Sequence, residues 1–92
     1  MKTVEKTGVF MVGTKTNPAK LAGAIAGALR DTVQVELKVI GAGAVNQAIK
    51  AIAIARGYTV PAGFDLNVRP SFEDTTVDGS PRSSMKLVVV RA

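Results

Sequence analysis

The chain has 92 residues, 47% of them hydrophobic, and its 12 Lys and Arg against seven Asp and Glu give a net charge of +5. This length suits one compact domain with one core. Since the sequence contains no Cys and no His, disulfides, thiolate metal sites and imidazole acid-base chemistry are excluded. An excess of positive charge attracts polyanions and is common among nucleic-acid binders.

The N-terminus lacks the apolar core of a secretion signal, and no apolar run approaches the roughly 20 residues needed to cross a bilayer. We therefore expect a soluble, cytoplasmic protein with no membrane partner. Its single domain would span residues 1–92, with residues 1–6 as a loose leader.

The first predicted elements are a strand and a helix. Val9–Val12 is a β-prone run closed by Gly13. Asn17 is a preferred helix cap and Pro18 a favourable first helical residue, so a helix should run from Pro18 to about Arg30.

This helix has an apolar face and a ridge of small residues. The apolar face contains Leu21, Ile25, Ala28 and Leu29, and the ridge contains Ala22, Gly23, Ala26 and Gly27. Each glycine costs about 1 kcal/mol of helix propensity relative to Ala. We expect close packing of the ridge against another backbone to compensate.

The segment Thr32–Ile40 alternates, with its apolar residues on one face: Val33, Val35, Leu37 and Val39. A strand with one buried and one solvent-exposed face disfavours a doubly wound sheet, whose strands are covered by helices on both faces. The pattern favours a two-layer sandwich with helices on one face of the sheet.

A second helix follows Gly41 and has almost no polar face. A ridge of Ala44, Ala48, Ala51 and Ala55 should meet the first helix, while Val45, Ile49 and Ile52 should face the sheet. The apolar surface that remains after these two contacts predicts a two-fold dimer interface that includes Asn46, Lys50 and Ile54. A fully covered internal helix is the alternative.

The last third predicts a β-hairpin. Phe64–Val77 has strand character, with Pro70 indicating an edge or a bulge. The apolar phase fails near Glu73 and Asp74, which indicates a bulge or a projecting, solvated arm. After a turn at Asp78–Pro81, a strand returns over Arg82–Arg91. The element order is therefore β-α-β-α-β-β.

Gly41 and Gly43 lie between a strand and a helix, where backbone amides can receive a phosphate. A dinucleotide fingerprint fails here, because Asn46 replaces its third glycine and Asp65 precedes its strand instead of ending it. A tight turn that serves packing is the better interpretation, and we expect no cofactor.

Exposed cations are the other candidates. Lys15 lies in the loop before the first helix with Lys20 one turn on, and Arg82 and Lys86 on the hairpin could extend that surface. Solvated charge is the alternative interpretation. The acidic Glu73, Asp74 and Asp78 lack supporting ligands, so no metal site is expected.

Several blocks resemble the stage V sporulation protein S (SpoVS) family: residues 15–28, residues 40–58, Pro61 with Asp65-Leu66, Pro70 with Phe72, and Asp78-Gly79 before Met85-Lys86-Leu87. The resemblance covers about residues 9–90 and implies an Alba-like α/β sandwich, a mixed four-stranded sheet with two helices on one face. In Alba-like proteins the loop before the first helix and the hairpin arms of a dimer contact nucleic acid. The resemblance thus implies contacts by Lys15 and, more weakly, Arg82 and Lys86.

The sequence therefore predicts a non-enzymatic homodimer, or a tetramer of stacked dimers, that binds DNA or RNA through phosphates in gene or developmental regulation. A protein-interaction scaffold without nucleic-acid binding is the alternative. An enzyme is disfavoured, since no nucleophile-base pair or metal cluster can be assembled from the isolated acids.

Overall fold

A computed structural model describes residues 8–92, apart from the side chain of Val77; the predicted leader lies outside this part. The elements follow the predicted order. They are β1 (Gly8–Val12), α1 (Pro18–Asp31), β2 (Gln34–Val39), α2 (Ala42–Thr59), β3 (Leu66–Val77) and β4 (Ser80–Arg91).

The sheet has the strand order β1-β2-β4-β3, with β1 parallel to β2 and the other pairs antiparallel. Its central strands alternate as predicted, so that Val35, Leu37, Leu87 and Val89 are buried in one core with both helices. The opposite face of the sheet, here called the open face, carries half-exposed polar residues such as Glu36 and Lys38. The predicted two-layer architecture is confirmed.

Local hydrogen bonds explain where α1 begins and ends. Asn17 Oδ1 accepts from the amides of Ala19 (2.9 Å) and Lys20 (3.2 Å). At the other end the Thr32 hydroxyl donates to the carbonyl of Ala28 (2.8 Å). The predicted cap is confirmed, and the helix ends one residue later than predicted, at Asp31.

The two helices pack through small residues, but the predicted role of the α1 glycines is wrong. The four alanines of the α2 ridge and Ala22 of α1 are fully buried. Gly23 and Gly27 are exposed instead, and a Cβ added at either would meet nothing within 4 Å. The reason is rotational, because residues 23 and 27 lie opposite Ile25, whose side chain is fully buried.

Replacing Gly23 or Gly27 by Ala should therefore stabilise the fold. We expect each substitution to raise the free energy of unfolding by about 0.5–1 kcal/mol, because it restores helix propensity without a clash. Urea unfolding measures this change. Gly41→Ala should instead lower the free energy of unfolding, because Gly41 has a φ of 92° that a residue with a Cβ adopts only with strain. A destabilised Gly23→Ala variant would contradict the conclusion that there is free space beside Gly23.

Two apolar residues, one in the predicted second strand and one in α2, are more exposed than the sequence patterns predict. Val33 lies outside β2 and is 53% exposed. Ile49 is 49% exposed and does not face the sheet, whereas Val45 and Ile52 pack on the core. Ile49 lies further round the helix than Ile52, beyond the part of α2 that the sheet covers.

The hairpin has no bulge. Its strands pair residue for residue from Leu66 with Arg91 to Val77 with Ser80, across a two-residue turn of Asp78 and Gly79 with positive φ. β2 pairs with β4 only as far as Met85, so residues 73–84 project beyond it as the predicted arm. The apolar phase ends there because the helix layer no longer covers that face.

Candidate nucleic-acid interface

Three predicted features meet at one end of the sheet. Val12, the last residue of β1, pairs with Val39, the last residue of β2, and Val39 pairs with Met85 at the base of the arm. The loop of residues 13–17, here called the Lys15 loop, follows β1 at this end. The N-terminus of α2 follows β2 there, so the Lys15 loop, the start of α2 and the base of the arm are neighbours.

The Lys15 loop is a tight, hydrogen-bonded turn. The amide of Gly13 donates to Thr16 Oγ1 (2.8 Å), and the amide of Thr16 donates to the carbonyl of Gly13 (3.2 Å). Lys15 and Lys20 are both exposed. The loop therefore presents one cation from an ordered backbone, with a second near the start of α1.

The start of α2 requires both of its glycines. Gly41 has a φ of 92°, which disfavours any residue with a Cβ. A Cβ on Gly43 would lie 2.6 Å from Thr14 Cγ2, closer than real contacts allow. Turn geometry at Gly41 and close approach at Gly43 account for both glycines, as expected for a packing turn.

Lys86 lies on the open face among carboxylates. Its Nζ is 3.7 Å from Glu36 Oε1 and 3.9 Å from Glu73 Oε2, while Lys38 Nζ is 3.6 Å from Glu73 Oε1. The structure thus places Lys86 between two acids, Glu36 and Glu73. The charge of Glu73 is balanced by two lysines, so Glu73 opposes a polyanion less than its place in the sequence indicates.

Arg82 projects from the arm. It is exposed and pairs with Thr75 in the hairpin register. Next to it, Ser84 Oγ donates to the carbonyl of Glu73 (2.8 Å) and lies 2.7 Å from the hydroxyl of Thr75. These bonds cross-link the two strands of the arm. Asp74 and Asp78 are exposed, and within residues 8–92 no three His, Cys, Asp or Glu are grouped to hold a metal ion.

The predicted dimer residues lie together on the exposed side of α2. Asn46 and Lys50 are exposed, and Ile54 is 38% exposed. Ile49, which is more exposed than Ile54, was missed as a surface residue. Its angle from the alanine ridge could have identified it. We call the exposed residues Asn46, Ile49, Lys50, Ala53 and Ile54 the α2 outer face.

Comparison with known proteins agrees with this architecture. The family model of stage V sporulation protein S (SpoVS) matches residues 8–92. The chain belongs to the SpoVS family. Among solved structures, Alba from Thermoplasma volcanium superposes with a TM-score of 0.63 at 14% identity, over 92% of this chain and 99% of that chain. The family and the Alba-like fold predicted from the sequence are both confirmed.

In this SpoVS-family chain, an ion pair joins α2 to the start of β3. The Arg56 guanidinium contacts both carboxylate oxygens of Asp65, with Nη2 at 3.0 Å from Oδ2. The amide of Leu66 also donates to Asp65 Oδ1 (2.7 Å). The hydrogen bond from Arg56, followed by that from Leu66, lowers the pKa of Asp65 to about 2.

This pair predicts a dependence of stability on pH. Because the pKa of Asp65 is lower in the folded chain, its contribution is complete above the ordinary Asp pKa of about 3.9 and is lost as the pH falls toward 2. Asp65→Asn should therefore reduce the loss of stability between these pH values, measured by urea unfolding. Asp78→Asn, outside the pair, should leave that loss in place. If the free energy of unfolding of Asp65→Asn fell with pH as steeply as that of the wild type, Asp65 would not be the group responsible.

No helix in the described part of the SpoVS-family chain is long and apolar enough to cross a membrane.

Proposed function

We propose that this chain is a non-enzymatic dimer that binds nucleic acid through backbone phosphates, with little base readout, in gene or developmental regulation such as sporulation. One observation carries the proposal. The ordered Lys15 loop, with its exposed cation, lies at the same end of the sheet as the arm that carries Arg82.

The electrostatics of this end support binding of an anion. Both described helices begin here, and neither has an acidic residue in its first turn. The positive end of each helix dipole therefore adds to the charges of Lys15 and Lys20 without local neutralisation. Phosphate contacts of this kind position a protein on nucleic acid without carrying sequence information.

The dimer is supported by the apolar surface that one chain leaves uncovered. The α2 outer face contains two half-exposed isoleucines. The ion pair of Arg56 with Asp65 joins the C-terminal part of α2 to the residue before β3, and Phe72, further along β3, is 83% exposed. A two-fold contact through this surface is self-complementary. It would place two Lys15 loops on one assembly, so that one duplex or strand meets both.

Binding measured over a series of salt concentrations tests the proposal. Labelled duplex DNA, single-stranded DNA and RNA of mixed sequence should each be titrated with the protein. We expect log K to fall linearly with log salt, with a slope of about −0.9 per phosphate contact on duplex DNA. Sequence-scrambled duplexes should bind with similar affinity. Absence of binding at low salt, or binding without salt dependence, would refute the proposal.

Phe72 favours one alternative function. An aromatic side chain that is 83% exposed on a projecting hairpin is typical of a protein contact, because Phe contributes much of the energy of such interfaces. The alternative is a regulatory scaffold that binds proteins and uses its positive charge only for solubility. The scaffold hypothesis predicts that Lys15→Ala leaves function unchanged. The nucleic-acid-binding hypothesis predicts that the same substitution reduces nucleic-acid affinity.

A further inference from the structure

We infer that Gln47 is a positioning residue, which acts with Gly43 to hold the Lys15 loop in the conformation that presents Lys15 to a phosphate. This inference rests on the proposed function and deepens it. It assigns the shape of the loop to α2, the same helix that carries the predicted dimer contacts.

Two contacts from α2 hold the loop on either side of Lys15. Gln47 Nε2 donates to the carbonyl of Thr16 at 2.9 Å, and this bond is partly buried. The methyl group of Thr14 occupies the space beside Gly43 that a Cβ would need. The residues immediately before and immediately after Lys15 therefore both contact α2, Thr14 through its side chain and Thr16 through its carbonyl, while Lys15 itself is exposed.

The loop's own hydrogen bonds do not by themselves fix its place on the molecule. The bonds between Gly13 and Thr16 close a local turn, but neither of them joins that turn to α2. Gln47 and Gly43 belong to an element about thirty residues further along the chain. They orient the turn against the sheet and against the first turns of α2.

A loop ordered before binding loses less conformational entropy when it meets its ligand, so its affinity is higher for the same contacts. This reasoning separates two kinds of residue. A contacting cation such as Lys15 changes both the affinity and its salt dependence, because counterion release scales with the number of neutralised phosphates. Substitution of a positioning residue lowers the affinity only indirectly, because the contacting residue is then no longer held in place.

The test is a double-mutant cycle on nucleic-acid affinity, with wild type, Lys15→Ala, Gln47→Met and the double variant titrated on one mixed-sequence duplex. Met matches the length of Gln but cannot donate to Thr16. We expect Gln47→Met alone to weaken binding about three- to tenfold, the effect of losing one net hydrogen bond. In the Lys15→Ala background the same change should have little further effect.

Gln34→Met is the matched control. Gln34 is also half-buried, but it lies on the open face at the opposite end of β2 from the Lys15 loop. This variant should bind like wild type. Hydrogen exchange without nucleic acid should show faster exchange of the Gly13 and Thr16 amides in Gln47→Met and unchanged exchange in β2 and β4. A general loss of stability would instead accelerate exchange throughout the chain.

The outcomes distinguish the inference from the proposed function. If wild type does not bind at low salt, the proposed function fails and the positioning role fails with it. If wild type binds and Lys15→Ala weakens binding, two results would overturn the inference alone. One is an unchanged affinity in Gln47→Met, and the other is an equal effect of Gln47→Met with and without Lys15.

Discussion

An Ile49→Glu variant is expected to sediment with the mass of one chain, 9.5 kDa, at concentrations where we expect the wild type to sediment as the proposed dimer. Ile49 is the more exposed of the two isoleucines on the α2 outer face. A two-fold contact through this face would bury it with its symmetry mate, so that two Glu carboxylates would lose water and lie close to each other.

The expected weakening of the dimer is large. Leaving an uncompensated charge in an interface costs about 3–5 kcal/mol, which corresponds to a dissociation constant raised roughly 100-fold or more. Sedimentation equilibrium or light scattering over a range of concentrations measures the change. Ile54→Glu, at the residue that the sequence pattern selects, should act in the same direction, since its side chain is 38% exposed on the same face.

Val33→Glu provides the control for this prediction. Val33 is also a β-branched residue and is 53% exposed, but it lies just before β2 and not on the α2 outer face. Its replacement adds the same charge and should leave the dimer intact. A dimer that survives Ile49→Glu and Ile54→Glu would show that α2 does not form the interface.

Lys15→Glu is expected to weaken nucleic-acid binding about 10- to 100-fold at low salt. The substitution removes a cation from the ordered loop and places a carboxylate where the phosphate would lie. In a dimer both loops are altered. The slope of log K against log salt should become less steep by about 0.9 for each lost phosphate contact on duplex DNA.

Arg30→Glu is the control for total charge. It changes the net charge by the same amount but lies in the last turn of α1, opposite the end that carries Lys15. We expect it to lower affinity only slightly, through the long-range field, which salt screens within about 10 Å at 0.1 M. Equal effects of the two variants would mean that binding depends on total charge and that the Lys15 loop makes no contact.

Much of the fold was predictable because its signals are local. Asn17 and Pro18 specify the start of α1 through backbone amides only two and three residues away from the cap. The Asp78-Gly79 turn specifies the hairpin through its own φ angles. The alternation in β2 and the alanine ridge of α2 predicted which faces are buried, since each pattern has the period of its element.

The candidate site was predictable only in part. Lys15 and Arg82 could be named as exposed loop and arm cations, because loops and turns lie at the surface. Their arrangement at one end of the sheet followed only from the parallel pairing of β1 with β2 and from the projection of the arm. The setting of Lys86 likewise depends on Glu36 and Glu73, which are brought to it by strand pairing.

By itself, the sequence determined the order of the elements, their approximate bounds, the family and the excess of positive charge. The tertiary structure decided how far each element is rotated and which distant residues meet. It turned Gly23 and Gly27 outward, left Ile49 uncovered and joined Gln47 to Thr16. The physical reason is that propensity and periodicity act within one element. Rotation and partner choice, in contrast, minimise the free energy of the whole core.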